Sequence, residues 1–267
     1  MLKKYIEYFL YFKKSDFNCL SYSTFPNTNL CLAIYKENNI DYIKRPNHNH
    51  CIITPSNGSF KSRLFGFHKM PFNVDINGPL DQICILFHPA ALSAFTSESY
   101  GDLINADDVF DIFKYKDDFI LEQIFEESDF SKRTDKLERL LLCNLNDQQP
   151  AKMKEALYLI ERGGDHHMSI ETLAKELEIS TPTLFRLFKN NAGLNPKSYL
   201  KTFRFRNILD EIINKRCSLT STAHSHLYYD QSHFIKDFKS FSGHSPNQLI
   251  HQISIEQNDL TWIYNKK

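Results

Sequence analysis

Residues 228–246 read YYDQSHFIKDFKSFSGHSP, and residues 178–196 read EISTPTLFRLFKNNAGLNP. Laid together at a constant offset of 50, Leu184 falls with Phe234, Arg186 with Lys236, Phe188 with Phe238 and Lys189 with Lys239. Gly193 falls with Gly243, and Pro196 with Pro246. An internal repeat has to be explained first, because it sets the architecture of the segment that carries it. Ser180 and Asp230 suit an N-cap, where a side-chain oxygen satisfies the free amides of the first turn. Leu184, Leu187 and Phe188 form one apolar face, as do Phe234, Phe238 and Phe241 in the other copy. Gly193 and Gly243 can end these helices in the left-handed conformation. Asn195-Pro196 and Ser245-Pro246 then offer a cap and a proline at the first position of a following helix.

A shorter helix precedes each copy. SIETLAKELEI places Ile170, Leu173, Ala174 and Leu177 on one face, and LTSTAHSHLYY places Leu219, Ala223 and Leu227 in the equivalent role. A short helix, a tight turn and a capped second helix make a helix-turn-helix, here in duplicate. Between the copies, KSYLKTFRFRNILDEIINK keeps a helical apolar period and should form one long connecting helix. Such a pair can also serve only as a packing motif in a helical bundle. The outer faces weigh against that reading. Thr181, Thr183, Arg186 and Lys189 in one copy, and Gln231, Ser232, His233, Lys236 and Lys239 in the other, are residue types that reach base edges and phosphates.

The 267 residues carry no net formal charge, which taken alone argues against nucleic acid. The charge is unevenly spread, however: residues 150–267 hold 16 Lys+Arg against 12 Asp+Glu, and the remainder is acidic by the same margin. A basic half hints at a polyanionic partner. Six scattered cysteines without a CxxC pair suit a reduced cytoplasmic protein. The opening MLKKYIEYFLYFKK is too short and too interrupted to span a bilayer, so it reads as structure, and no membrane partner is expected.

Residues 15 to about 90 read as short strands between Asn, Gly and Pro clusters: LCLAIYK, CIIT, KSRLFGFHK and DQICILFH. Even spacing of that kind favours an antiparallel barrel or sandwich. Helical text follows Pro89, and Gln148-Gln149-Pro150 marks a hinge. The expected fold class is therefore α+β and multidomain. A β-rich module (1–100) and a helical connector (101–150) lead into an all-α module (151–267). His48 and His50, an H-x-H pair, raise the alternative of a cupin-type metalloenzyme with a helical appendage. No carboxylate follows them, and RPNHNH reads as a solvated loop. No motif supplies a nucleophile with a base, so the reading assigns no catalytic residue, cofactor or metal. Phe60, Phe65, Phe67, Phe72 and Phe87 can fill a barrel core or line a ligand pocket.

Residues 168–250, with DQSHF, the FK pairs, G-x-S-P and Arg204 in the linking helix, resemble the DNA-binding domain of AraC/XylS-type transcription regulators. The stretch SFKSRLFGFHKMPFNVDINGPLDQICILFHPAALSAF more faintly resembles the cupin-like N-terminal domain some of them carry. The resemblance implies a sequence-specific regulator, more often an activator. Its two recognition helices would enter consecutive major-groove segments of double-stranded DNA. The first would use Thr181, Pro182, Phe185 and Arg186, and the second Gln231, Ser232, His233 and Lys236. Lys189 and Lys239 would contact phosphates. It further implies a small-molecule effector or a homodimer made through the N-terminal domain, and RNA polymerase as a partner. This chain has Thr222 and Leu227 where the family usually has Ile and Gly, and Leu227 would be strained if its turn needs a positive φ.

Overall fold

The computed structural model describes the chain except residues 46–47, 59, 67, 105, 107, 115–116, 148, 164–167, 214–230, 253–254, 258–259 and 265–267. Its β-rich half is two facing open sheets. The first has the order β1(Ile6–Lys14), β8(Leu80–Phe87), β3(Leu30–Lys36), β6(Lys61–Phe65). The second has the order β4(Asn38–Arg45), β5(His48–Pro55), β7(Phe72–Asn77), β2(Cys19–Thr24), β10(Leu260–Tyr264), β9(Ile255–Gln257).

The nearly unbroken apolar run of β3 follows from its position. Side chains alternate across a strand, so each face needs its own apolar set when both are covered. Leu30, Leu32 and Ile34 join a core with the connector helices, where Phe110, Phe113, Phe125 and Leu137 are buried. Ala33 and Tyr35 join the core between the sheets with Cys51, Ile53, Val74 and Cys84. Among the described strands, pairing is antiparallel except for β5 against β7. The chain leaves the second sheet after β5, contributes β6 to the first, and returns as β7 in the same direction as β5.

The connector holds the short helix α1(Tyr100–Leu103), then α2(Ile120–Glu126) and α3(Phe130–Asn144). Arg133 of α3 is buried, yet every side of its guanidinium is occupied. It donates to the carbonyls of Glu127 at 3.0 Å and Phe125 at 2.6 Å, and lies 3.5 Å from Asp81 of β8. The rings of Tyr11, Phe125 and Phe130 lie within 5.7 Å of it. Such dense partnering is what a buried cation requires.

After Pro150 come α4(Ala151–Gly163), α5(Ile170–Glu176), α6(Thr181–Ala192), α7(Pro196–Ile213), α8(Gln231–Ser242) and α9(Pro246–Ile250). The region expected to be all-α ends differently. The β9–β10 hairpin returns to the second sheet, where Trp262, Ile263 and Tyr264 pair with Thr24, Ser23 and Tyr22. An unpaired β2 edge would expose a row of backbone donors and acceptors, and the tail covers it. His48 opens strand β5, so the solvated loop expected at RPNHNH is corrected from there on. Alternating polar side chains on a half-exposed strand look like turn text when read singly.

Candidate nucleic-acid interface

The first unit is α5, a turn and α6. The Ser169 hydroxyl accepts the Thr172 amide at α5, and the Ser180 hydroxyl accepts the Thr183 amide at α6. Leu173, Ala174, Leu177, Leu184 and Phe188 are buried together. The Ile179 amide donates to the Ala174 carbonyl at 3.0 Å, and Glu178 sits at φ 53°. The turn therefore demands a left-handed residue, and a glutamate supplies it at some cost in strain. The turn residue singled out in the second unit, Leu227, lies outside the described residues, as do Thr222, Asp230 and the helix expected at 219–229.

The second unit is described from α8 onward. Phe234, Phe238, Phe241 and Leu249 share a core with Phe205, Ile208, Leu209 and Ile212 of α7. Ser245 and Gln248 form a reciprocal capping box at α9. Gly193 and Gly243 end their helices at φ 69° and 75°, the left-handed geometry expected of them. Lys201 of α7 lies 3.5 Å from Asp237 of α8, which ties the linking helix to α8.

The outward faces hold the residues singled out above. Pro182, Phe185, Arg186 and Lys189 are exposed, while Thr181 and Thr183 are half-buried. Phe185 leaves 38% of its surface in solvent, uncommon for an aromatic with a core within reach. Ser232, His233, Lys236 and Lys239 are exposed. Gln231 opens α8, and its side chain lies outside the described residues. Arg204 is half-buried in α7.

Both units are also keyed into the sheet half, which the sequence did not reveal. Tyr100 packs against Gly193: a Cβ there would meet its ring at 1.9 Å. A Cβ at Gly66, beside β6, would meet the Tyr100 hydroxyl at 1.4 Å, so two missing side chains make room for one phenol. Ala90, held at φ 60°, is buried in the core of the first unit. Phe25, just after β2, enters the core of the second. The Tyr199 phenol is pushed well above its ordinary range, chiefly by burial and then by the Glu161 charge, and it hydrogen-bonds the Thr28 side chain.

A cavity of about 140 Å³ lies between the sheets. Phe65 and Phe72 line it together with Tyr22, Cys31 and Cys84, and Arg206 of α7 completes the lining. Phe87 and Phe60 belong elsewhere: Phe87 is core, and Phe60 packs on Phe125 at 5.2 Å. Phe67 lies outside the described residues. Cys51 and Cys84 are buried free thiols, and burial raises Cys51 to about 12. His50 places Nε2 3.0 Å from the Asp75 carboxylate of β7. The side chain of His48 lies outside the described residues, and no group of three metal-ligating residues occurs among the described ones.

Comparison with known proteins agrees with this geometry. Residues 173–252 match a helix-turn-helix domain family. The lactose operon transcription activator of Staphylococcus xylosus is 27% identical over 103 residues, 39% of this chain and 37% of that protein. The Msm operon regulatory protein of Streptococcus mutans is 23% identical over 108 residues, 40% and 39% of the two chains. The chain thus spans well under half the length of these relatives. The C-terminal domain of AraT, a response regulator from Geobacillus stearothermophilus, overlays with a TM-score of 0.38 at 21% identity, covering 42% of this chain and 93% of that one. ToxT from Vibrio cholerae overlays with a TM-score of 0.47 at 14% identity, covering 91% and 97%. The class defined for residues 173–252 is a helix-turn-helix domain. The C-terminal region is an AraC-type helix-turn-helix domain.

Proposed function

We propose that the chain is a sequence-specific transcription regulator acting as an activator, with α6 and α8 entering consecutive major-groove segments of duplex DNA. Thr181, Pro182, Thr183, Phe185 and Arg186 read the first segment. Gln231, Ser232, His233 and Lys236 read the second, and Lys239 holds a backbone phosphate. Pro182 and Phe185 carry no side-chain hydrogen-bond donor, so the first segment is read through apolar contact with thymine methyl groups and through Arg186. One observation carries this reading. Two helices with the same buried face and the same glycine stop expose polar and cationic side chains at matching repeat positions.

In the functional division we propose, 1–100 senses or dimerises, 101–150 connects, and 151–267 binds DNA, with the final hairpin returning to the sheet. The cavity between the sheets supports a small, largely apolar effector. Its lining includes Arg206 of α7, so occupancy would be felt by the helix that joins the two units. A cytoplasmic setting, pairing of two copies and contact with RNA polymerase belong to the same reading.

Titration of duplex DNA with the full chain at rising salt tests it. Affinity should fall linearly on a log–log plot with a slope reflecting several released counterions. A flat response would contradict the proposal.

A further inference from the structure

A second opening separates the sheet half from the first reading unit, and DNA reading makes no use of it. It is a cleft of about 760 Å³. Arg63 of β6 and Lys69 of the following loop line one wall, and Lys189 and Asn195 line the other. His68 also lines it, and none of its described lining residues is Asp or Glu. The chain as a whole has 32 acidic residues for 32 basic ones, so a wall of one sign is not a consequence of composition. Strand β6 and its following loop deliver two cations to one wall, and α6 delivers the third to the other.

The site is also partly preorganised. The Arg63 guanidinium lies over the Tyr42 ring, 5.9 Å from its centroid, a cation–π contact that restrains it. Lys69 and Lys189 are exposed and make no ion pair among the described residues. Asn195 uses its side-chain oxygen to accept the Ser198 amide at 2.8 Å, which leaves its amide nitrogen as a donor. Three cations and a neutral donor around this volume suit more than one anionic group. A lone carboxylate or sulfate could engage only one side at a time. Guanidinium and ammonium donors together are the usual holders of phosphate oxygens.

We propose that this cleft binds a small phosphorylated metabolite whose phosphates bridge Arg63 and Lys69 of the sheet half and Lys189 of α6. Lys189 is thereby withdrawn from the DNA face, on which its repeat partner Lys239 remains. A duplex backbone is the other polyanion available, but it would have to pass between the two halves. The cleft also opens at the C-terminal end of α6, away from Thr181 and Arg186. The proposal does not depend on DNA reading and can fail while duplex binding stands.

Calorimetric titration of the full chain with inorganic tripolyphosphate, beside sulfate at equal ionic strength, tests it. One saturable site per chain is expected for tripolyphosphate and none for sulfate. Lys69→Gln and Arg63→Gln should each weaken it by about tenfold or more, while Lys3→Gln, on an exposed residue outside the cleft, should not. Lys69 is exposed, so its variant keeps the fold, and an unchanged circular dichroism spectrum checks that. Absence of saturation, or equal binding by Lys69→Gln, overturns the proposal. So does a Lys69→Gln variant that loses duplex affinity while tripolyphosphate binding is unchanged, since that would assign the cleft to DNA.

Discussion

Gly193 and Gly243 stand at the same place at the ends of α6 and α8, at φ 69° and 75°, but what lies against them differs. A Cβ at Gly193 would enter the Tyr100 ring at 1.9 Å. Among the described residues, a Cβ at Gly243 would meet only Pro71 Cγ, at 3.4 Å, an ordinary contact. Both helices therefore end against the sheet half, α6 interlocked with it and α8 touching it. The second is anchored at a different point, through Phe25 in its core. The repeat explains how each helix is stopped and which face it buries. It does not explain how each is fastened to the rest of the chain, because the fastening residues come from outside it.

The comparison can be broken first at the shared aromatic. Phe188 and Phe238 are both fully buried, Phe188 5.3 Å from the Tyr199 ring and Phe238 5.3 Å from the Phe205 ring. Phe188→Ala and Phe238→Ala should each cost about 3–5 kcal/mol in chemical unfolding. A neutral result in either copy would mean that copy is not built on its aromatic. Gly193→Ala should come next. It combines left-handed strain of about 1–2 kcal/mol with overpacking of about 1–3 kcal/mol. Gly243→Ala should show the strain alone. In a Tyr100→Ala background the two glycine substitutions should cost the same, and a persistent difference would remove Tyr100 from the explanation.

The smallest effect concerns His244, whose counterpart in the first unit is Leu194. Burial, and then the Lys239 charge, lower its pKa from the ordinary 6.5. A folded imidazole that is harder to protonate than the unfolded one leaves stability intact above pH 6.5. Stability is then lost as pH falls from 6.5 toward the lower folded value. His244→Asn should therefore melt less pH-dependently than the parent between pH 7 and 5. Identical pH profiles would show that His244 makes no such contribution.

Caps, stops and buried faces were legible because they are local. Ser180, Gly193 and Gly243 act within one turn of their own position, and Phe234, Phe238 and Phe241 declare a face by spacing alone. The strands LCLAIYK and DQICILFH were legible as well, since apolar runs of that length suit a strand covered on both sides. Long-range features were not. Tyr100 and Gly193 are 93 positions apart in sequence, and neither residue type announces the other. The tail LTWIY reads as a strand only once the open edge of β2 is known. Asp75 reaches His50 from a neighbouring strand, so scanning for a carboxylate soon after the histidines could not find it. Glu178 takes the positive φ of the first turn, and a glutamate does not announce that geometry in the sequence.

The central claim is that α6 and α8 form one two-part reading head. Hydroxyl-radical footprinting of the full chain on a duplex selected for tight binding tests it most directly. The account predicts two protected segments on one face of the DNA, about one helical turn (roughly 34 Å) apart. Arg186→Ala should thin one segment and Lys236→Ala the other, each with a loss of about 1–3 kcal/mol in affinity. A single protected segment, or two segments that fade together in both variants, would contradict it.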